Sequence, residues 1–287
     1  MNKYKVRKFM KRFFAYFTLI LFSIAFIIPF LWMVSSSFKI PSDIMRTTFS
    51  LIPRNEAGNV YFTLDNYRYA IEYLDTQRLF INTFIVASLN TVINLFLNSL
   101  AGYAFAKIEF KGKNRLFKII LTSMMIPGAV MLVPNLLIIR FLGLIDTLAA
   151  LILPFTMSVY NVFLMRQTFE SISVELEEAA MIEGANRFVI FTKIAMPIAR
   201  PTLVVLAITT FMWNYNNFMW PLMVIDSDSK RTLALGLGNL IQAASGNPEM
   251  YPAMIAGSVL MSIPLIIIFI FFQRFIIAGI NVGGVKE

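Results

Sequence analysis

The run FFAYFTLILFSIAFIIPFLWMVSSSF, Phe13 to Phe38, contains no Asp, Glu, Lys or Arg. As a helix it exceeds the length of about 20 residues needed to cross the roughly 30 Å hydrocarbon layer of a bilayer. It follows directly on Lys3, Lys5, Arg7, Lys8, Lys11 and Arg12, which the positive-inside bias assigns to the cytoplasmic side. Ser35, Ser36 and Ser37 at its end resemble a signal-peptide cleavage site, but an h-region is only about 7 to 15 residues long. The reading is an uncleaved anchor.

Five further runs share this property: 79 to 106, 119 to 139, 147 to 165, 201 to 225 and 250 to 273. They are continuously apolar rather than alternating, and a bilayer requires each segment to close its own backbone hydrogen bonds. Helices are therefore expected, not barrel strands. Composition agrees: 58% hydrophobic residues, 14% charged and a mean hydropathy of +0.71 place the chain far from soluble globular usage. The expected fold is an all-α polytopic membrane protein with six transmembrane helices. Prolines at 29, 127, 134, 154, 221, 252 and 264 fall inside these runs, so several helices should bend or unwind.

Orientation follows from the flanks. The break at 107 to 118 carries Lys107, Lys111, Lys113, Arg115 and Lys118 and, like the N-terminal tail, belongs inside. Alternation then puts 39 to 78, 140 to 146 and 226 to 249 outside, and 166 to 200 and the tail 274 to 287 in the cytoplasm. Both termini are cytoplasmic. The expected organisation is a basic tail over 1–12, one transmembrane domain over 13–273 and a second tail over 274–287. The first two inside segments contribute +6 and +4 (five basic residues less Glu109), so the net charge of +9 is mostly orientation bias. No nucleic-acid partner is inferred from it.

Function is narrowed by exclusion. The chain has no Cys and no His, which removes disulfides, thiol nucleophiles, imidazole bases and the commonest zinc ligands; no metal or catalytic residue is expected. None of the six runs holds an ionisable residue of the kind that carries protons or ions in coupled transporters. There is no G-x-x-x-x-G-K-[ST] phosphate loop. Uphill transport would therefore draw its energy from another subunit.

The segment 166 to 200 reads as two short helices around Gly184. Ser173 can cap the first, whose early turn carries Glu175 and Glu177. Gly184 supplies the reversal that ends it. Asn186 caps a second helix through Phe188, Phe191 and Ile194 to Pro197. Leu176, Ala179 and Ala180 share a face. By residues alone this is either a loop packed on the membrane surface or a surface that another protein's groove receives.

Glu178-Ala179-Ala180, Gly184, Ile194 and Pro197 at these spacings resemble the EAA loop of ABC importer permeases. Met196 stands where that family usually has Leu, Ser173 where the sugar permeases often have Pro, and Glu183 where Asp precedes the glycine. Leu100 to Lys107, the run Trp213 to Leu222, and Gln273-Arg274-Phe275 through Gly279 to Gly283-Gly284-Val285-Lys286 resemble the carbohydrate branch, in particular its six-span maltose-type component. The resemblance implies a subunit of the bacterial or archaeal cytoplasmic membrane. It implies pairing with a second homologous permease, two ATPase subunits inside that bind the ATP and Mg, and a sugar-binding protein outside. It also implies that the EAA loop between spans 4 and 5 is the coupling helix. Glu178 would be its charged anchor, Ala179 and Ala180 its close-packing face, Gly184 its turn, and Leu176 and Ile182 further contacts to the ATPase.

For the translocation path, Asn90, Asn94 and Asn98 recur at intervals of four, with Asn82 two turns earlier. Such a stripe either binds neighbouring helices or lines a wet passage, and interhelical bonding is the simpler reading. In the fifth run Asn214 and Asn217 share a face among Trp213, Tyr215 and Trp220. Amides for hydroxyls and flat rings for a sugar's C–H face suit a saccharide or polyol. The alternative places Trp220 and Tyr251 in an interfacial aromatic belt. Outside, Leu64, Tyr67, Ile71 and Leu74 form an amphipathic helix that Asp65 could cap, lying on the membrane or serving as a platform. The competing function is a solitary secondary transporter or channel for a neutral solute.

Overall fold

The computed structural model describes residues 3–46 and 50–282. The expected tail motif Gly283-Gly284-Val285-Lys286 lies outside the described residues. Among these the chain is helical, with one isolated bridge between Arg54 and Val60 and no strand. In chain order the main helices are α1 (Lys3–Ser36), α2 (Asp65–Leu74), α3 (Thr76–Lys107), α4 (Lys113–Thr122), α5 (Leu132–Phe141), α6 (Leu148–Ile152) and α7 (Val159–Glu170). There follow α8 (Val174–Ile182), α9 (Arg187–Ile198), α10 (Arg200–Tyr215), α11 (Met219–Val224), α12 (Leu233–Gly246) and α13 (Tyr251–Val282).

Three stretches are long and apolar enough to cross a bilayer as single helices: Phe9–Ser36, Thr76–Lys107 and Pro248–Arg274. The number rises to six if each of three bent pairs is one span; the third pair is α9 with α10, Arg187–Ile198 and Arg200–Tyr215 at 79°, which begins within the segment expected to be cytoplasmic. The chain is a multi-pass membrane protein. The bends follow the prolines selectively. The run 119 to 139 turns by 96° between Lys113–Met125 and Gly128–Phe141, at Ile126 and Pro127. The run 147 to 165 bends by 47° where Pro154 sits in a 3-10 turn, Leu153–Phe155. Pro29 and Pro264, by contrast, lie inside unbroken helices.

The run 201 to 225 is not one helix, which corrects the sequence reading. α10 stops at Tyr215, and after Asn216, Asn217 and Phe218 the chain restarts as α11. Pro221 is the reason: it has no N–H to donate mid-helix. In α11 it is the third residue, where the N–H groups have no intrahelical acceptor.

Contacts divide the chain into two compact units. One comprises Met1–Thr76 and Asn239–Ser262. There Asn66 Nδ2 donates to the Ser37 and Lys39 carbonyls, each at 2.8 Å, and the buried Asp43 carboxylate accepts the Arg54 N–H at 2.9 Å. α2 forms over the expected residues, but its inward face is Ala70 and Leu74, while Leu64 and Ile71 are exposed. Asp65 does not cap it; Leu64 holds that position, and Asp65 lies in the first turn bonded to the Thr63 hydroxyl at 2.9 Å.

The other unit, Gln77–Gly238 with Ile263–Glu287, holds the motifs of interest. One of its cores joins Val86, Ile139, Leu151, Trp220 and Leu235, and another joins Tyr103, Met165, Phe169, Phe191 and Leu206. Trp220 is 1% exposed and donates its indole N–H to the Ala150 carbonyl at 2.9 Å, so it is a core residue and not part of an aromatic belt. Asp146 clasps two loops together. Its carboxylate accepts the Asp226 and Ser227 N–H groups at 3.1 and 2.9 Å, the Ser227 hydroxyl, and Lys230 Nζ at 2.8 Å. Lys230 first, then the Ser227 hydroxyl, hold the Asp146 carboxyl well below the usual carboxylate range.

Candidate functional site

The asparagine stripe of α3 is consumed at the Pro154 bend. Unwinding there frees carbonyls, and a buried carbonyl requires a donor. Asn90 Nδ2 reaches the Ile152 oxygen at 2.8 Å, Asn94 Nδ2 the Phe155 oxygen at 2.9 Å, and Asn98 Nδ2 the Thr156 oxygen at 3.2 Å. Asn98 Oδ1 accepts the Ser158 N–H at 2.9 Å on the far side of the bend. The spacing explains the first two bonds. Four α-helical residues rise about 6 Å, and so do three residues of a 3-10 turn, so Asn90 and Asn94 meet Ile152 and Phe155 in step.

The same amides extend the network to α7 and α10. Asn161 Nδ2 donates to Asn94 Oδ1 at 2.7 Å and to the Thr210 hydroxyl at 3.2 Å; Asn214 Nδ2 donates to Asn90 Oδ1 at 2.9 Å. Asn82 instead binds the Ser229 and Arg231 carbonyls, both at 2.9 Å. The network forms the wall of a cavity of about 350 Å³, completed by Phe155, Met157, Ser158, Tyr160, Thr209 and Trp213. No charged side chain lines it. Trp213 meets Phe155 edge-on at 4.7 Å and is half exposed, and Tyr160 is exposed as well. A rim of this kind offers an indole face and a phenol above a floor of amides.

Of the residues anticipated for a solute path, Asn90, Asn94, Trp213 and Asn214 come together here. Asn217 does not. Its Oδ1 accepts the Trp220 N–H at 3.3 Å, and it lines a separate, more open cavity of about 480 Å³ with Trp213, Asn216 and Phe218. The three-residue spacing from Asn214 loses its meaning once the helix ends at Tyr215. Asn161, Thr210 and Tyr160 escaped sequence reasoning; Asn161 lies in an expected span and carried the same polar-in-membrane signal as the α3 stripe.

The segment 166 to 200 folds as a helix–turn–helix. α8 ends in a paired reversal: Gly184 N–H donates to the Met181 carbonyl at 3.0 Å and Ala185 N–H to the Ala180 carbonyl at 2.9 Å. Gly184 stands at φ +89°, in the left-handed region. Asn186 caps the next helix, accepting the Val189 N–H at 2.9 Å. Ser173 occupies the N-cap position of α8 but makes no capping bond to the backbone. The Glu175 carboxyl is held below its usual range by its own backbone N–H and by the Ser173 hydroxyl. α9 runs on to Ile198, past Pro197, with a π-helical stretch Phe191–Ala195.

Leu176, Glu178 and Ala179 are exposed, and Ile182 is 88% exposed. Ala180 faces inward, against the core that contains Tyr103, Phe169 and Phe191. The two alanines therefore do different work. Val174 and Phe188 are exposed as well. Glu177, read from sequence as one of two N-terminal acids, is buried, with its carboxylate 3.4 Å from Lys107 Nζ and 3.5 Å from Arg187.

Comparison with known proteins gives a consistent assignment. Residues 98–282 match the family described as binding-protein-dependent transport system inner membrane component. The arabinooligosaccharides transport system permease protein AraQ of Halalkalibacterium halodurans is 36% identical over 266 residues, covering 92% of this chain and 93% of that protein. The lactose transport system permease protein LacG of Rhizobium radiobacter is 32% identical, with 91% of each chain covered. Among solved structures, a chain of a bacterial ABC transporter involved in the import of the acidic polysaccharide alginate superposes with a TM-score of 0.79. At 24% identity it covers 92% of this chain and 97% of its own length, which is a likeness of fold.

Proposed function

The chain belongs to the family of binding-protein-dependent transport system inner membrane components, the permease subunits of ABC importers, and from this premise we propose that it forms half of the pathway for a neutral saccharide. The observation that carries the proposal is the cavity of amide, hydroxyl and indole groups without a charged side chain. Sugars present hydroxyls and C–H faces, which such a lining matches. A uronate or phosphate would leave its charge unpaired there. The relatives named for arabinooligosaccharides and lactose support the same substrate class.

The subunit is read as six spans with both termini in the cytoplasm, each bent pair counting as one span. α8 then faces the cytosol, where its exposed Leu176, Ala179 and Ile182 flank Glu178 as a docking surface for an ATPase subunit. A second permease would complete the pathway, two ATPase subunits would supply hydrolysis, and a binding protein outside would deliver the sugar. This chain performs no catalysis. The test is ATP hydrolysis by the assembled importer in proteoliposomes with its binding protein. Neutral oligosaccharides are expected to stimulate hydrolysis. Stimulation by uronic-acid oligomers alone would contradict the reading.

A further inference from the structure

Lys107 is the last residue of α3, and its side chain is 7% exposed. Its Nζ donates to the Ile172 carbonyl at 2.6 Å, just ahead of α8, and lies 3.4 Å from Glu177 Oε1 inside α8. The Glu177 side chain is 4% exposed, and its other oxygen faces the half-exposed Arg187 at 3.5 Å, across the Gly184 turn. Among the described residues Glu177 Oε1 accepts no hydrogen bond, so its ion pair with Lys107 is what offsets the burial of this carboxylate, and that pair ties α8 to α3. One turn earlier on α3, Tyr103 packs edge-on against Phe169 at 5.6 Å and beside Phe191 at 5.3 Å. From Lys107 back to Asn94 at the cavity, α3 is one unbroken helix of about 20 Å.

We propose that Glu177 is the positioning residue that joins the docking helix to the cavity, acting through Lys107 so that α8 and α3 move as one piece. The outward acid Glu178 has no part in this joint. The proposal rests on the reading of α8 as the ATPase-docking element. Displacement of α8 by an ATPase would be carried along α3 to Asn90 and Asn94, whose amides hold the Pro154 bend and wall the cavity.

The experiment uses the complete importer in proteoliposomes and compares Glu177→Gln, Lys107→Met and their combination. ATPase subunits are expected to copurify in normal proportion, because the exposed face of α8 is untouched. Uptake, and the ratio of binding-protein-stimulated to unstimulated hydrolysis, are expected to fall about tenfold in each single variant, within the usual range of coupling between sites. The double variant is expected to be no worse than either single. A wild-type ratio in Glu177→Gln, or losses that multiply in the double variant, would overturn the proposal. Should Glu177→Gln fail to assemble, Glu177→Asp keeps the charge while withdrawing the carboxylate by one carbon, and an undiminished ratio in that variant is equally fatal. Ile182→Asp separates the two ideas. Full copurification and uptake in Ile182→Asp would remove the docking reading itself, whereas loss there with a normal Glu177→Gln would remove only the joint.

Discussion

Gly102→Ala is expected to destabilise the assembled importer clearly, although it adds a single methyl group. A Cβ on Gly102 would lie 2.7 Å from Met165 Cβ, 2.9 Å from the Arg166 backbone nitrogen and 3.1 Å from the Met165 carbonyl carbon. Two of these atoms are backbone, so no rotamer change relieves the contact and α3 must move away from α7. That shift would open the core around Tyr103, Met165 and Phe169 and pull Arg166 from the Phe117 ring, whose centroid it covers at 4.0 Å. Overpacking of a tight interior typically costs about 1 to 3 kcal/mol, and here the upper end is expected because the obstacle is main chain. The thermal midpoint of the purified complex checks it. Gly128→Ala is the control: nothing lies within 4 Å of its added Cβ, and the change is expected within about 0.5 kcal/mol.

Gly184→Val is expected to abolish uptake while leaving the subunit inserted and folded. The mechanism is the opposite of that at Gly102. Nothing lies within 4 Å of the added Cβ, so the penalty comes from φ +89° alone. A β-branched residue resists that conformation by about 1 to 2 kcal/mol or more, and the reversal after α8 would be lost with its two hydrogen bonds. The exposed residues of α8 would then leave their positions relative to Phe188 and Arg187 of α9. Uptake is expected to fall about a hundredfold, at the strong end of site-to-site coupling. Gly184→Asn, which tolerates the left-handed region, should keep most of it. Equal uptake from the valine and asparagine variants would show that the turn geometry does not matter to transport.

The two glycines also show what was legible in the sequence. Gly184 could be read because its role is local: a helix with acids in its first turn must end, and glycine ends it. Gly102 lay in a motif that resembled a family, but its reason is the approach of a backbone more than sixty residues away, which no local pattern contains. Apolar runs announced the membrane class, and Pro154 announced a bend. The regular spacing of Asn90, Asn94 and Asn98 placed them on one face, while their acceptors, the carbonyls released by that bend, are a tertiary fact. Asn217 was misplaced because helical periodicity was extended past Tyr215, where the helix stops. Glu177 was read as a helix-terminus acid because a sequence shows the residue type and not its burial; its partner Lys107 lies on another helix.

The chain has no cysteine, so a cysteine placed at one position reports on that position alone. The most direct test of an importer subunit driven through α8 is maleimide labelling of Ile182→Cys in inverted membrane vesicles, with and without the ATPase subunits. At 88% exposed, residue 182 should label readily in the permease alone, become protected when the ATPase is bound, and form a cross-link to it with a short bifunctional reagent. Equal labelling in both states, with no cross-link, would contradict the account.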